Sequence, residues 1–435
     1  MLDIKYIREH AEEVKKNCEN RGVKVDIDRL LELDEKRRAK KTEVDNLRST
    51  RNQGSKSLSP SPSPSQADGN EPVQEDKERL EKIAKMRQVG DQIASLEKDL
   101  ETIEAEYLIL LKAVPNLTHP DTPIGGDSDF KVLTTVGKVP DFKFEAKDHE
   151  ELMLALDVID FERGTKTSGA KFYFTKNELV LLNNALIQYG IDILRKHGFV
   201  VMETPDLVKN EILSGVGFAP RGPESNTYAT EEGDLSLIAT AEITLGGYHA
   251  GEILDLSKGP LKYAGISHCF RKEAGTYGKA SKGLYRVHQF TKLEMFAYCK
   301  PEESEALHEQ LLEIEKEIVD GLGLPYQVID TASRDLGGPA YRKFDIEAWM
   351  VMNNGYGEIT STSNCTDYQA RRLNIRYRTP TNETDFVHTL NGTAIVLSRF
   401  PIAIFENYQN QDGSIKIPEV LQKYVGFKEI KSKSN

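Results

Sequence analysis

The 435-residue sequence contains no run of eighteen apolar residues, so no segment reads as a membrane-spanning helix. Its opening, MLDIKYIREHAEEV, carries Asp3 early and has no apolar core segment, which argues against a secretory leader. Cysteine is scarce: Cys18, Cys269, Cys299 and Cys365 lie far apart, with no CxxC pair and no cysteine–histidine cluster. That excludes a disulfide framework and a zinc site and suits a reducing compartment. A soluble cytoplasmic protein with no membrane partner is the expectation. Positive charge is also in short supply, with 57 Lys and Arg against 69 Asp and Glu for a net charge of -12. Indiscriminate coating of nucleic acid needs the opposite balance, although a local basic stripe could still meet phosphates. No internal repeat is apparent.

What is present begins with helix. Within residues 75–111, Leu80, Ile83, Met86, Val89, Ile93, Leu96, Leu100, Ile103 and Tyr107 recur at threes and fours between charges, the seam of a coiled coil. Residues 27–52 are helix-prone with sparser apolar marks at Ile27, Leu30, Leu31, Val44 and Leu47, and the two segments are expected to pair antiparallel. Between them, SLSPSPSPSQADGNEP forbids helix through its alternating prolines and predicts a flexible tip at about 53–74. Residues 36–56 hold eight Lys and Arg against two acids. Such a run is most often a solvated helix face; phosphate contact becomes the better reading only if the rest of the chain handles RNA.

From about residue 112 the texture changes, with Pro115, Pro120, Pro123 and the glycines of PIGGDSDF marking a linker. An arm over 1–111 and a second domain over 112–435 follow. NELVLLNNALIQYGIDILRK reads as an amphipathic helix leading into the strand GFVVME and then Pro205. LKYAGISHCFRK, LYRVHQFTKLEMFAYC, KFDIEAWMV and FVHTLNGTAIV are strand-like. Strands this far apart in sequence, with few regular βαβ units, predict an α+β fold around a mostly antiparallel sheet.

On LYRVHQFTKLEMF, strand alternation puts Arg286, His288, Phe290, Lys292 and Glu294 on one face and Val287, Leu293 and Met295 on the other. A cation, an aromatic plate and a carboxylate then follow one another at steps of about 13 Å. Standing alone, a solvated sheet face explains this as well. Upstream, Arg271 and Glu273 share a face of the preceding strand, and AGTYGKASKG joins the two as in a hairpin. An exposed ion pair would be worth little; the alternative is that the planar fork of Arg271 grips a phosphate and a carboxylate together.

CFRKEAGTYGKASKGLYRVHQFTKLEMF resembles motif 2 of the class II aminoacyl-tRNA synthetases, and in particular the seryl-tRNA synthetase family. LIATAEI at 237–243 is similar to that family's serine-binding loop, and GEITSTSNCTDYQARR at 357–372 to its ATP and magnesium segment. HTLNGTAIVLSRFPIAIFENYQ at 388–409 resembles motif 3, METPDL fits motif 1, and DGSIKIPEVLQKYVGF matches the usual ending. The likeness covers nearly the whole chain.

The resemblance implies a class II catalytic domain behind a coiled-coil arm, and an enzyme that joins L-serine to tRNA(Ser) at the expense of ATP. Arg271 would bridge the α-phosphate and the serine carboxylate, and Arg399 would hold the γ-phosphate. Phe290 would stack on adenine, with Lys272, Glu273, Arg286, Val287, Ile359 and Thr360 completing the nucleotide site. Glu358 and Ser361 offer hard oxygens for Mg2+. Thr240, Ala241, Glu242, Arg271, Glu294, Asn391 and Thr393 would read serine. No protein nucleophile or general base is implied, and His288 would be structural or orienting. The arm would reach the long variable arm of the tRNA, and motif 1 would build a homodimer. The Ser-Pro tip departs from the Lys-rich turn usual in the family, and Ala394 and Val396 stand where motif 3 often carries glycine. Two alternatives are a relative that loads an amino acid onto a carrier protein, which lacks such an arm, and a non-catalytic RNA-binding scaffold, which has no need of ATP ligands.

Overall fold

A computed structural model describes residues 1–56, 72–218, 226–231, 233–273 and 282–431. Most of the Ser-Pro tip, and residues 274–281 of the expected hairpin loop, lie outside them. The chain divides into two compact bodies, one of Leu2–Glu19 with Val23–Val114, the other of Met1, Asn20–Gly22 and Pro115–Asn435. Among the described residues no helix is long and apolar enough to cross a membrane.

The first body is helical: α1 (Ile4–Glu9), α2 (Ala11–Asn20), α3 (Ile27–Lys56) and α4 (Pro72–Ala113). The long helices α3 and α4 run antiparallel. Arg29 meets Glu106 at 2.8 Å, Lys40 meets Asp99 at 2.8 Å and Arg48 meets Glu97 at 2.6 Å. Val44, Val89 and Ile93 form the buried seam, with Leu47, Met86 and Leu96 packed against it. The expected seam on α4 is too long, because Leu80 and Ile83 are exposed. Gly54 lies opposite Met86, so these two side chains fall past the last described turn of α3. Asp34 is fully buried and is held by Arg8, Arg38 and Arg37 at 3.1, 3.0 and 3.3 Å.

The second body is built on eight strands: β1 (Lys131–Val136), β2 (Val200–Glu203), β3 (Leu261–Phe270), β4 (Gln289–Cys299), β5 (Tyr326–Asp330), β6 (Arg342–Met350), β7 (Gly355–Asn364) and β8 (His388–Val396). They form one sheet in the order β1-β5-β6-β7-β8-β4-β3-β2. Every neighbouring pair is antiparallel except β2 with β3. Helices α5 (Asn177–Lys196) and α7 (Ser304–Leu322) bury Leu182, Leu186, Leu311 and Ile318 in a core shared with Leu293, Met295 and Ile395 of the sheet. On the other face, α6 (Ala241–Gly247) packs Leu245 with Phe296 and Tyr298. Alternation along β4 thus sends odd-numbered residues into the helix-covered core and leaves Phe290, Lys292 and Glu294 for the open side. Helix α8 (Phe400–Asn407) follows β8, with Arg399 at its N-cap and Pro401 in its first turn.

Two expectations about the hairpin need correction. β3 stops at Phe270, so Arg271 and Glu273 are not strand residues, and Glu273 has a positive φ of 45°. β4 starts at Gln289, so Arg286, Val287 and His288 precede the strand. Their backbone groups turn to other segments: Lys272 N donates to Asn226 O at 3.0 Å and His288 N to Lys171 O at 3.3 Å.

Candidate active site

β7, β8, β4 and the end of β3 lie side by side, and register sets who meets whom. Glu294 pairs with Gly265 on one side and Thr393 on the other, and Asn391 faces Ser363. Two irregularities re-aim side chains. β7 carries an extra residue at Ile359 and β8 one at Ala394. In a regular strand residues three apart point to opposite faces; the bulge at Ile359 lets Glu358 and Ser361 share one.

That face forms a cavity of about 240 Å³ lined by Thr240, Glu242, Arg271, Lys292, Glu294, Glu358, Ser361, Asn391 and Thr393. A second cavity is lined by Glu273, Arg286, Val287, Phe290, Ile359 and Arg399, and Arg271, Lys292, Glu358 and Thr393 border both. The guanidinium of Arg271 lies 5.1 Å from the centre of the Phe290 ring and donates Nε to Ala239 O at 3.3 Å. Its backbone is fixed by His288, whose O accepts from Arg271 N at 3.0 Å and whose Nδ1 donates to Arg271 O at 2.9 Å. His288 therefore orients the arginine and lines neither cavity. Among the described residues the two terminal nitrogens of Arg271 have no hydrogen-bond partner, which leaves them for ligand. Arg399 donates to Glu358 O at 2.8 Å and stacks on Tyr285 at 3.8 Å. Arg286 meets Glu273 at 3.3 Å.

Three of the expected residues line neither cavity. Lys272 is exposed. Ala241 is the first residue of α6 and packs into the core. Thr360 points away from the cavities, because of the same bulge that aims Glu358, and donates to the fully buried Glu315 at 2.6 Å. Thr240 lines the first cavity while capping α6, its hydroxyl accepting from Glu242 N at 3.2 Å.

The cavity charges are strongly interdependent. Burial, reinforced by the Glu294 charge, pushes the Glu242 carboxyl up to about 7, although Gln369 donates to it at 2.8 Å. Desolvation by the surrounding protein opposes ionisation of Glu358 too, although its side chain is exposed at the cavity, and Arg399, Lys343, Arg271 and Lys292 prevail and hold it below the usual range. Lys292, whose role the sequence did not suggest, is buried, ion-paired with Glu294 and 3.4 Å from Thr393 Oγ1. The signal was its position two residues before Glu294 on the same strand face.

A divalent cation fits the β6–β7 corner. Asp345 pairs in register with Ser361, and among the described residues its buried Oδ1 has no hydrogen-bond partner. Burial raises Asp345 to about 7 despite the nearby Lys343. Among the described residues no three His, Cys, Asp or Glu side chains group closely enough to hold a metal unaided. Hard oxygens in that number suit Mg2+, which usually keeps water and phosphate oxygens in its shell.

Comparison with known proteins matches residues 1–118 to the seryl-tRNA synthetase N-terminal domain and residues 227–408 to the tRNA synthetase class II core domain (G, H, P, S and T). The chain is 54% identical over 433 residues to a serine–tRNA ligase of Treponema denticola, covering 99% of this chain and 100% of that one. It is 50% identical over 437 residues to the serine–tRNA ligase of Dictyoglomus turgidum, covering both in full. Among solved structures, seryl-tRNA synthetase from Pyrococcus horikoshii complexed with ATP superposes with a TM-score of 0.88 at 40% identity, covering 100% of each chain. The cytoplasmic serine–tRNA ligase of Naegleria fowleri in complex with AMP gives 0.82 at 32% identity, covering 100% of this chain and 99% of that one.

Proposed function

The chain belongs to the seryl-tRNA synthetase family and acts as a serine–tRNA ligase, and we propose that its two cavities divide that reaction between amino acid and nucleotide. Serine occupies the cavity of Thr240, Glu242, Glu294, Asn391 and Thr393. Its ammonium meets the carboxylates, and its hydroxyl needs both a donor and an acceptor there. Glycine and alanine are refused because they leave these buried groups unpaired. ATP occupies the other cavity, its base against Phe290 and its phosphates reaching Arg286 and Arg399.

The observation that carries this reading is the position of Arg271 on both cavities, with two nitrogens left for ligand. One guanidinium can neutralise the serine carboxylate and the α-phosphate while they approach each other. The carboxylate oxygen forms a bond to the α-phosphorus as the bridging P–O bond breaks, and pyrophosphate leaves. The carbonyl of the seryl-adenylate is then attacked by the terminal ribose hydroxyl of tRNA, and AMP departs. No protein nucleophile takes part; orientation and charge neutralisation supply the acceleration. Glu358 and Ser361, with Asp345 beside them, would hold Mg2+, which when bound adds charge neutralisation at the phosphates.

The reading extends to partners. The helical body, residues 1–111 in the division proposed from sequence, serves tRNA(Ser), since RNA helices are recognised through shape and backbone phosphates. Residues 112–435 form the catalytic domain. Edge strand β2, with Val200 exposed on it and Leu207 exposed four residues past its end, supports a two-fold homodimer. Four free cysteines suit the cytoplasm.

The direct test is serine-dependent ATP–pyrophosphate exchange. Arg271→Ala should reduce it by about a thousandfold or more, as loss of a group stabilising transition-state charge does, with circular dichroism unchanged. Near-normal exchange in a folded variant would remove Arg271 from the reaction.

A further inference from the structure

Between β5 and β6 the chain runs through residues 331–341 without regular structure, and Gly337, Pro339 and Ala340 form one wall of the cavity that contains Thr240, Glu242 and Glu294. An irregular wall keeps its shape only if its backbone groups find fixed partners. Here they find them far away in sequence. Arg21 is buried, and its Nη1 donates to Asn116 O at 3.2 Å and Ala340 O at 2.8 Å. Its Nη2 donates to Leu336 O at 3.3 Å and Gly337 O at 2.6 Å. Asn116 reinforces the grip, with Nδ2 donating to Pro339 O at 2.8 Å and its backbone N to Gly338 O at 2.9 Å. One turn earlier, Ser333 Oγ donates to Asn20 O at 2.7 Å.

Asn20–Gly22 belongs to the sheet-bearing body although the segments on either side of it belong to the helical one. Gly22 takes φ of +68°, and a Cβ added there would stand 3.7 Å from the Arg334 side chain; the glycine lets the chain turn away directly after Arg21. The planar fork of Arg21 spans three carbonyls of one loop and one of the next segment. A lysine, with its donors on a single atom, cannot span them all.

We propose that Arg21 is a positioning residue for the amino-acid pocket, clamping the 336–340 wall so that the cavity is sized for serine. The inference rests on the assignment of that cavity to serine. The loop lines the amino-acid cavity and not the one bordered by Phe290 and Arg399, so the effect is selective. A displaced wall weakens serine binding and relaxes exclusion of threonine, while ATP binding is untouched.

Arg21→Lys and Arg21→Met, in the full-length protein, are compared with wild type by ATP–pyrophosphate exchange, varying serine, threonine and ATP separately. A misplacement of this kind should raise the KM for serine about tenfold, lower the serine-to-threonine ratio of kcat/KM, and keep the KM for ATP within about twofold. If Arg21→Met does not fold, Arg21→Lys, which keeps the charge and the aliphatic stem, decides. An unchanged KM for serine in a folded variant overturns the inference, as does an equal rise in both KM values. Failure of the underlying assignment looks different: Glu294→Ala, in the same cavity, would then leave the KM for serine at its wild-type value.

Discussion

Glu242 and Glu294 set two carboxylates in one buried cavity that also holds Lys292, and the three charges cannot all be satisfied at once. The cost falls on Glu242, whose carboxyl is pushed up to about 7 by burial and then by Glu294. In the free enzyme near neutrality it is therefore about half protonated, whereas a serine ammonium needs the anion. As pH rises through about 7 the proton leaves and binding strengthens, so kcat/KM for serine should climb between ~6 and ~8 and then level off. Glu242→Gln should lower kcat/KM and flatten the climb, and an undiminished slope in that variant would assign the titration elsewhere. Part of this cavity was legible in the sequence, because Lys292 and Glu294 alternate on one strand and the resemblance of LIATAEI to a serine-binding loop carried Thr240 and Glu242. The trio of Lys272, Ala241 and Thr360 shows the limit. A motif places residues next to one another along the chain, but only the backbone decides which of them face the ligand.

At the scale of the element, the long periodic segments were readable for a physical reason: a seam or an alternation repeats often enough to declare its partner face. Helices α3 to α5 and strands β6 and β8 lie where the patterns put them, and β3 and β4 do so except at the ends that face each other. What escaped were irregularities set by a neighbour. Lys272 and His288 flank strand-like apolar positions such as Val287, yet their backbone N–H groups donate to Asn226 and Lys171, more than forty residues away in the first case and more than a hundred in the second. The bulge at Ile359 is a mismatch with β6, and a single strand's sequence carries no record of its partner's register. The clamp of Arg21 on the 336–340 loop was hidden for the same reason. Close packing of α5 on the sheet offers a prediction here. A Cβ at Gly190 would stand 2.8 Å from Ile395 Cγ1 and 2.9 Å from Leu293 Cδ2. Gly190→Ala gains about 1 kcal/mol of helix propensity, but overpacking a core costs about 1–3 kcal/mol. The steric term should win, and the urea midpoint should fall. A raised midpoint would mean that the sheet yields without strain.

At the scale of the whole molecule, charge and exposed apolar surface point to different partners. The basic run at 36–56 is largely spent within its own body: Lys36 pairs with Glu32, Arg37 and Arg38 with Asp34, Lys40 with Asp99 and Arg48 with Glu97. Such a stalk suits recognition of RNA shape better than dense phosphate neutralisation. Exposed apolar side chains occur on β2 and just after it. This strand ends the eight-stranded sheet, so one row of its backbone groups lacks a strand partner. Val200 is 57% exposed, and Leu181 and Leu207 are exposed by 48% and 43%. Apolar side chains exposed at an open strand edge offer a surface for a partner to cover. With a second copy of the chain as that partner, Val200 and Leu207 become buried anchors, each worth about 2 kcal/mol or more. Substituting both with lysine should weaken self-association by about a thousandfold, since every 1.4 kcal/mol is a factor of ten. Sedimentation velocity at micromolar concentration should then report a dimer for the wild type and a monomer for the double variant, with Leu80→Lys and Ile83→Lys on the helical body as neutral controls. A wild-type monomer, or a double variant that still sediments as a dimer, would move the contact away from β2.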